Sequence, residues 1–313
     1  MVILKDNIRN LIFSTFMIFI EKIKRYSEVT ARWCYQFVRP KPSYYHRVKQ
    51  RGVEPAPKGQ PRLIVSLTSF PARIKTVSYT IESLLTQTKK PDMVVLWLGY
   101  DKFPGKEKDL PKRLLRLEKY GLIIKWCKDI RSYTKLIPSL EAFPEDIIVT
   151  VDDDVWYPPQ WLEKLYNSYL KNPELIHAHR CLQVTTTNGE INKYIDWGFQ
   201  IYAPQEPSYC WHITGTGGVL YPPHCFHKDI CDREKFLSMA PTVDDIWFWA
   251  MAILNHTRFK IVDGNIFDFE GVFIVNNKAL WTANAFDKND EAIQKIAEFY
   301  PKFLELLRND LSK

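Results

Sequence analysis

Three consecutive carboxylates, Asp152, Asp153 and Asp154, follow the apolar run Ile147-Ile148-Val149-Thr150-Val151. Like charges this close repel one another, so a cluster that is partly buried at a strand end needs a cation to neutralise it. A hard divalent ion meets that need. Mg2+ and Mn2+ take oxygen ligands, and magnesium is commonly shared between one or two carboxylates and the phosphates of a substrate. If strand geometry continues through the trio, Asp152 and Asp154 point to one side as the metal ligands and Asp153 points to the other. The bland reading is an acidic turn after a strand. Five apolar residues before the trio and Val155-Trp156-Tyr157-Pro158-Pro159 after it favour the metal site.

A second acidic pair, Asp244-Asp245, opens the apolar stretch Ile246-Trp247-Phe248-Trp249-Ala250. Thr242 is a reasonable helix N-cap, and carboxylates in a first turn are favoured by the helix dipole, so capping accounts for one acid more easily than for two. Glycines at 215, 217 and 218, in Ile213-Thr214-Gly215-Thr216-Gly217-Gly218, let backbone approach a ligand or the acidic trio with no side chain between, or else form a tight turn between strands. The order is not that of a dinucleotide-binding glycine loop, because no acidic partner follows at the usual spacing. Arg73, in the loop Thr68-Ser69-Phe70-Pro71-Ala72-Arg73, and Lys135, in Arg131-Ser132-Tyr133-Thr134-Lys135, suit an anionic ligand and would serve equally as surface cations.

Ile148-Val149-Thr150-Val151-Asp152-Asp153-Asp154-Val155 resembles the DxD motif of nucleotide-sugar glycosyltransferases with the GT-A fold, and the other motifs fall in the order expected of those enzymes over about residues 62 to 270. Family 2 glycosyltransferases and exostosin-like transferases are the nearest in pattern. The resemblance implies a nucleotide-sugar donor held by Thr68, Arg73, Lys135, Asp152 and Asp153, with Mn2+ or Mg2+ on Asp152 and Asp154. It also implies an acceptor near Gly217 and Gly218, Asp245 as the base that deprotonates the acceptor hydroxyl, and Asp244 as its helper. Asp at position 244 departs from the commoner Glu-Asp form, which leaves an inverting outcome open. The expected function is hexosyl transfer to a glycan or lipid-linked acceptor in cell-surface polysaccharide synthesis. Two alternatives stand beside it: a metal-dependent nucleotidyl or phosphoryl transferase, since acidic clusters on α/β folds serve those chemistries too, and a non-catalytic sugar-binding module. Release of pyrophosphate rather than nucleoside diphosphate separates the first alternative from glycosyl transfer.

The elements that position these residues are legible as apolar runs. Leu63-Ile64-Val65-Ser66-Leu67, Met93 to Leu98, Leu122 to Trp126 and Ile147 to Val151 read as buried parallel strands. Helical patterns lie between them at Val77 to Thr86, Pro111 to Tyr120 and Tyr133 to Ala142. Strand and helix alternation predicts an α/β fold, a GT-A-like single domain with a central, mostly parallel sheet flanked by helices, plus an N-terminal helical extension. Ligands bind such sheets at the carboxyl ends of the strands, so the loops after Leu67 and Val151 should meet in one crevice. The expected boundaries are an extension over 1–40 and a Pro- and Gly-rich linker over 41–61. The catalytic domain spans 62–290, divided into a nucleotide half, 62–155, and an acceptor half, 156–290, and a C-terminal helix spans 291–313. Asp263, Asp268, Glu270, His212 and His256 are late candidates for a further ligand, none distinguished by its spacing.

The composition is that of a folded chain, with 46% hydrophobic and 25% charged residues, and nothing in it is low-complexity. A net charge of +7 allows a polyanionic partner or an anionic membrane surface, but the basic residues are dispersed, so no nucleic acid is expected. Six cysteines lack CxxC spacing and no cleavable signal peptide is visible, which suits a reduced, cytoplasmic protein. His224, Cys225, His227 and Cys231 match no standard zinc spacing and read as buried or incidental. Asn10 to Ile20 is too short to span a bilayer, yet with cations on both sides it can lie on the inner face of a membrane; packing on the body or on a second subunit, giving an oligomer, is the other reading.

Overall fold

The computed structural model describes residues 41–199, 201–272 and 287–312. The extension expected over 1–40, with its membrane or oligomer reading, lies outside these residues. Everything below concerns the compact unit formed by Pro42–Val272 and 287–312.

Four strands run parallel in the order β4-β1-β2-β3: β1 is Leu63–Thr68, β2 Met93–Gly99, β3 Leu122–Cys127 and β4 Ile147–Thr150. Three more strands complete a seven-stranded sheet. Val219–Tyr221 lies antiparallel against β4, Ile176–Ala178 antiparallel against Val219–Tyr221, and Phe259–Ile261 parallel to Ile176–Ala178 at the far edge. The sheet is therefore mixed and mostly parallel, with the reversal beside β4. The α/β expectation holds in this architecture.

Alternation along the strands sorts the apolar residues onto two faces. Val65, Leu67, Val94, Leu96, Leu98 and Val149 face one core, covered by the helices Val77–Leu84 and Trp161–Lys171. Ile64, Val95, Trp97 and Ile148 face the other, covered by the helix Asp244–Leu254 and the carboxyl-terminal pair Lys288–Phe299 and Pro301–Leu311. The helix Asp244–Leu254 is apolar all round because it is buried all round: every residue from Ile246 to Ile253 is inaccessible.

Two expected helices are shorter or differently wound. The stretch after Pro111 is one α-turn, Lys112–Leu115, passing into 3-10 helix over Arg116–Tyr120, and that after Ile130 is 3-10 helix over Arg131–Lys135 followed by Ile137–Ala142. The carboxyl-terminal segment is two helices, because Pro301 can start a helix but cannot continue one. Among the described residues no helix is long and apolar enough to cross a membrane.

Candidate active site

β1 and β4 are neighbours, so the loops at their carboxyl ends meet. Ser69 Oγ donates to Asp153 Oδ2 at 2.5 Å, and Arg73 Nη1 donates to Asp153 Oδ1 at 2.7 Å while lying 3.0 Å from Asp154 Oδ2. The Thr80 hydroxyl adds a bond to the Asp153 carbonyl. The expected alternation does not carry through the trio. β4 ends at Thr150 and the chain turns at Asp153 and Asp154, so those two share Arg73 and Asp152 faces elsewhere. Burial raises the pKa of Asp153, against the opposing pull of Arg73 and Ser69. Burial and the charge of Asp152 push Asp154 up to about 6.

Asp152 faces Lys135, which the 3-10 turn Arg131–Lys135 delivers from beyond β3. The turn is anchored by Ser66 Oγ, which donates to the Lys135 carbonyl at 2.6 Å, and by Tyr133 Oη, which donates to the Ala240 carbonyl at 2.5 Å. Lys135 Nζ lies 3.2 Å from Asp152 Oδ1, 3.1 Å from Asp244 Oδ2 and 3.8 Å from Asp245 Oδ1. Burial opposes its charge, but Asp152, Asp244 and Asp245 together raise its pKa well above the ordinary lysine value. Three carboxylates from two distant segments thus converge on one buried ammonium.

The glycine loop closes this cluster. Gly215 N–H donates to Asp245 Oδ2 at 2.9 Å, and a Cβ at 215 would stand 2.6 Å from Lys135 Nζ and 3.3 Å from both Asp152 Oδ1 and Asp245 Oδ1. A side chain there would push the Lys135 ammonium away from the carboxylates. Tyr157 Oη accepts from Asp152 N–H at 3.1 Å and donates to the Thr216 carbonyl at 3.2 Å, and Trp161 Nε1 donates to the Gly217 carbonyl at 2.7 Å. Gly218 adopts φ +77°, and a Cβ there would overlap the Trp161 ring.

The helix that carries the second acidic pair starts at Asp244 with Val243 at the cap position, so no side chain caps it. Neither acid is used as a cap. Asp244 is buried, its Oδ2 ion-paired to Lys135 but without a hydrogen-bond donor. The Asp245 side chain is 29% exposed and opens to the cleft. Burial, then the charges of Asp244 and Asp152, push its carboxyl up to about 7, against the opposing effects of Lys135 and Gly215 N–H.

Of the residues marked in the sequence, the fold brings together Arg73, Lys135, Asp152, Asp153, Asp154, Asp244 and Asp245. Gly217 and Gly218 line the same loop. Thr68 is turned away from the acids, its hydroxyl donating to the Trp97 carbonyl at 2.9 Å, and the next residue, Ser69, makes the contact instead. Asp263 pairs with Lys171 at the surface, and His212 is buried among the rings of Tyr194, Trp197 and Trp249. Ser69, Tyr157, Trp161 and Arg180 carry no spacing signal; only the tertiary fold reveals them. The Arg180 guanidinium lies 4.7 Å from the Phe267 ring centre and feels the charges of Asp268 and Asp152.

Asp152 and Asp154 are the residues expected to share a divalent ion with a substrate. Among the described residues no three His, Cys, Asp or Glu side chains form a protein-only cage. Asp152 is engaged by Lys135 and Asp154 by Arg73, so a magnesium ion, which takes one or two carboxylates from protein, would draw on one or both of them in exchange for those cations. Five carboxylates share the two cations Arg73 and Lys135, and burial first, then their mutual repulsion, raises the pKa values of Asp154 and Asp245.

No protein-family model matches this chain, and no curated protein does. Solved structures are similar. The inositol-1-phosphate CTP transferase from T. maritima aligns at 14% identity with a TM-score of 0.41, over 77% of this chain and 98% of that one. CMP:2-keto-3-deoxy-manno-octonic acid synthetase complexed with CTP aligns at 13% identity with a TM-score of 0.39, over 69% and 94%. Both are described with CTP, and neither with a nucleotide-sugar donor or a glycan acceptor. This corrects the expectation from the DxD resemblance. Hexosyl transfer from a nucleotide-sugar to a glycan or lipid-linked acceptor, with its place in polysaccharide synthesis, is not carried further. The physical reason for the error is that paired acids at a strand end serve any metal-bound phosphate, and do not specify which bond of the nucleotide breaks. The similarity is distant, and the side chains of this chain define what its site can do.

Proposed function

We propose that this chain is a metal-dependent nucleotidyltransferase. The observation that supports the reading is the convergence of Asp152, Asp244 and Asp245 with Lys135 and the side-chain-free Gly215 at the carboxyl end of β4, with Asp154 on Arg73 beside them, where a polyphosphate and its cation can enter together. Asp152 and Asp154 would hold Mg2+ or Mn2+, whose charge favours departure of the leaving phosphates.

The reaction is attack of an acceptor oxygen on the α-phosphorus of a nucleoside triphosphate, with the α–β bridging bond breaking and pyrophosphate leaving. Asp245 is placed to take the proton of an attacking hydroxyl, because a carboxyl that titrates near 7 can both accept and return a proton at neutral pH. Gly215 N–H and Lys135 fix the orientation of its carboxylate. Lys135 keeps Asp152, Asp244 and Asp245 at close quarters by offsetting their mutual repulsion. Arg73 and Ser69 hold Asp153 and so set the turn that presents Asp154.

The test is metal-dependent release of pyrophosphate from each of the four nucleoside triphosphates, CTP first, against a panel of hydroxyl- and phosphate-bearing acceptors, with calorimetric binding of the same nucleotides in parallel. The expected result is binding of at least one triphosphate that needs Mg2+ or Mn2+ and is lost in Asp152→Asn, with pyrophosphate formed in step with nucleotidylated acceptor. Failure of all four triphosphates to bind in the presence of either metal overturns the proposal.

A further inference from the structure

Among the described residues the site holds three cations, and two of them are committed. Arg73 is paired with Asp153 and Asp154, and Lys135 with Asp152, Asp244 and Asp245. Arg180 is different. Its Nε is buried with no hydrogen-bond partner, and no carboxylate among the described residues comes within ion-pairing distance of its guanidinium. A desolvated guanidinium with an unmet donor is costly, and the cost is recovered when an anion docks on it.

The surroundings preserve that state. The guanidinium stacks 4.7 Å from the Phe267 ring centre and 6.0 Å from that of Phe199, faces that hold a cation without taking its hydrogens. Phe199 is 59% exposed, so this side of the pocket is open. At position 217 a Cβ would lie 2.9 Å from Arg180 Cβ and 3.0 Å from its Cγ, so Gly217 leaves room for the arginine stem. The Arg180 carbonyl accepts from Thr214 N–H at 3.2 Å, which ties the residue to the loop whose Gly215 touches Asp152 and Asp245.

We propose that Arg180 is the oxyanion receptor of this site, binding a phosphate group of a substrate through the paired N–H groups of its guanidinium against the Phe199 and Phe267 rings. A planar fork of donors suits two phosphate oxygens at once. The proposal rests on the transferase reading only for the origin of the phosphate, which belongs either to the nucleotide or to a phosphorylated second substrate.

The experiment is calorimetric titration of the full chain with pyrophosphate in Mg2+, for the wild type, Arg180→Gln, Arg180→Lys and Phe267→Leu. Loss of a charge-assisted contact predicts affinity about 10- to 100-fold weaker in Arg180→Gln, with part recovered in Arg180→Lys. Phe267→Leu removes the ring face that holds the guanidinium and should weaken affinity by a smaller factor than Arg180→Gln. The melting temperature of Arg180→Gln should equal or exceed that of the wild type, since an uncompensated buried charge is removed. Unchanged affinity in a folded Arg180→Gln overturns the proposal, and a lowered melting temperature with unchanged affinity assigns Arg180 to packing. Repeating the titration at saturating CTP locates the phosphate: displacement places it in the nucleotide, and undiminished binding places it in the second substrate. If no nucleotide binds, the transferase reading fails while the pyrophosphate comparison remains readable.

Discussion

The half of the unit that ends at Asp154 and the half that follows reach the same site by different means. In the first, long parallel strands end together and the backbone ladder brings Ser69 and Asp152 to one rim, with the Ser66 and Tyr133 hydroxyls anchoring the turn of Lys135. In the second, strands of two or three residues are steadied by indole N–H groups that donate to backbone carbonyls: Trp161 to Gly217, Trp197 to Asn192, Trp211 to Glu206, Trp247 to Ile230 and Trp249 to Tyr209. Strand ends tolerate changes of side chain because the ladder does not depend on them. A loop held by single side-chain bonds does not share that tolerance. Substitutions in the first half should therefore remove chemistry and leave the fold, whereas those in the second should disturb both.

The largest effect expected is from Asp152→Asn, which should abolish metal-dependent turnover with an unchanged far-ultraviolet spectrum and urea midpoint; loss of cooperative unfolding instead would show that the acid is part of the scaffold. Asp245→Asn should lower turnover about 10²- to 10⁴-fold with nucleotide affinity little altered, the range for removal of a proton-transfer group. Near-normal rates in that variant would move the base elsewhere. In the second half, Gly218→Ala forces a Cβ onto the Trp161 ring at φ +77° and should cost about 3 kcal/mol or more in urea unfolding. Trp161→Phe leaves the Gly217 carbonyl without its donor and should cost about 1–3 kcal/mol. If either variant matches the wild type, the contrast between the halves is wrong.

The smallest effect is one of pH. Asp154 and Asp245 titrate at about 6 and about 7 in the folded chain, above the ordinary carboxyl value of 3.8, so the folded state holds protons that the unfolded state has released. Their contribution to stability is complete below that ordinary value and is lost as pH rises through 6 and 7. Melting of the metal-free protein should accordingly fall between pH 5 and pH 8, and Mg2+ should raise the melting temperature more at pH 8 than at pH 5. Asp245→Asn should flatten the fall.

The same contrast explains what could be read without coordinates. β1 to β4 are apolar runs bounded by breakers, and they appear within a residue or two of their predicted ends. The acids they deliver were visible because three in a row after such a run is unusual. The direction of each acid was not visible, because β4 ends at Thr150 and the trio obeys a turn rather than a pleat. Strands such as Ile176–Ala178 and Val219–Tyr221 are too short to show a period, and Arg180 is one arginine among many cations until Gly217 and Phe267 are seen beside it. The class of reaction was misread for a related reason: acids at a strand end serve several chemistries and do not specify the group transferred.

The strand Val219–Tyr221 sits between β4 and Ile176–Ala178 in space but follows both in the chain. On a ribosome, β4 therefore emerges with one edge paired to β1 and the other bare, and it stays bare until some seventy further residues have been made. That exposed row of amides, on an apolar strand, is a template for pairing with another nascent chain. A fragment ended after Asp154 should aggregate through this edge, whereas a chain extended through Tyr221 can cover it. Completion of the catalytic rim and protection of the molecule from its neighbours are thus the same late event in synthesis.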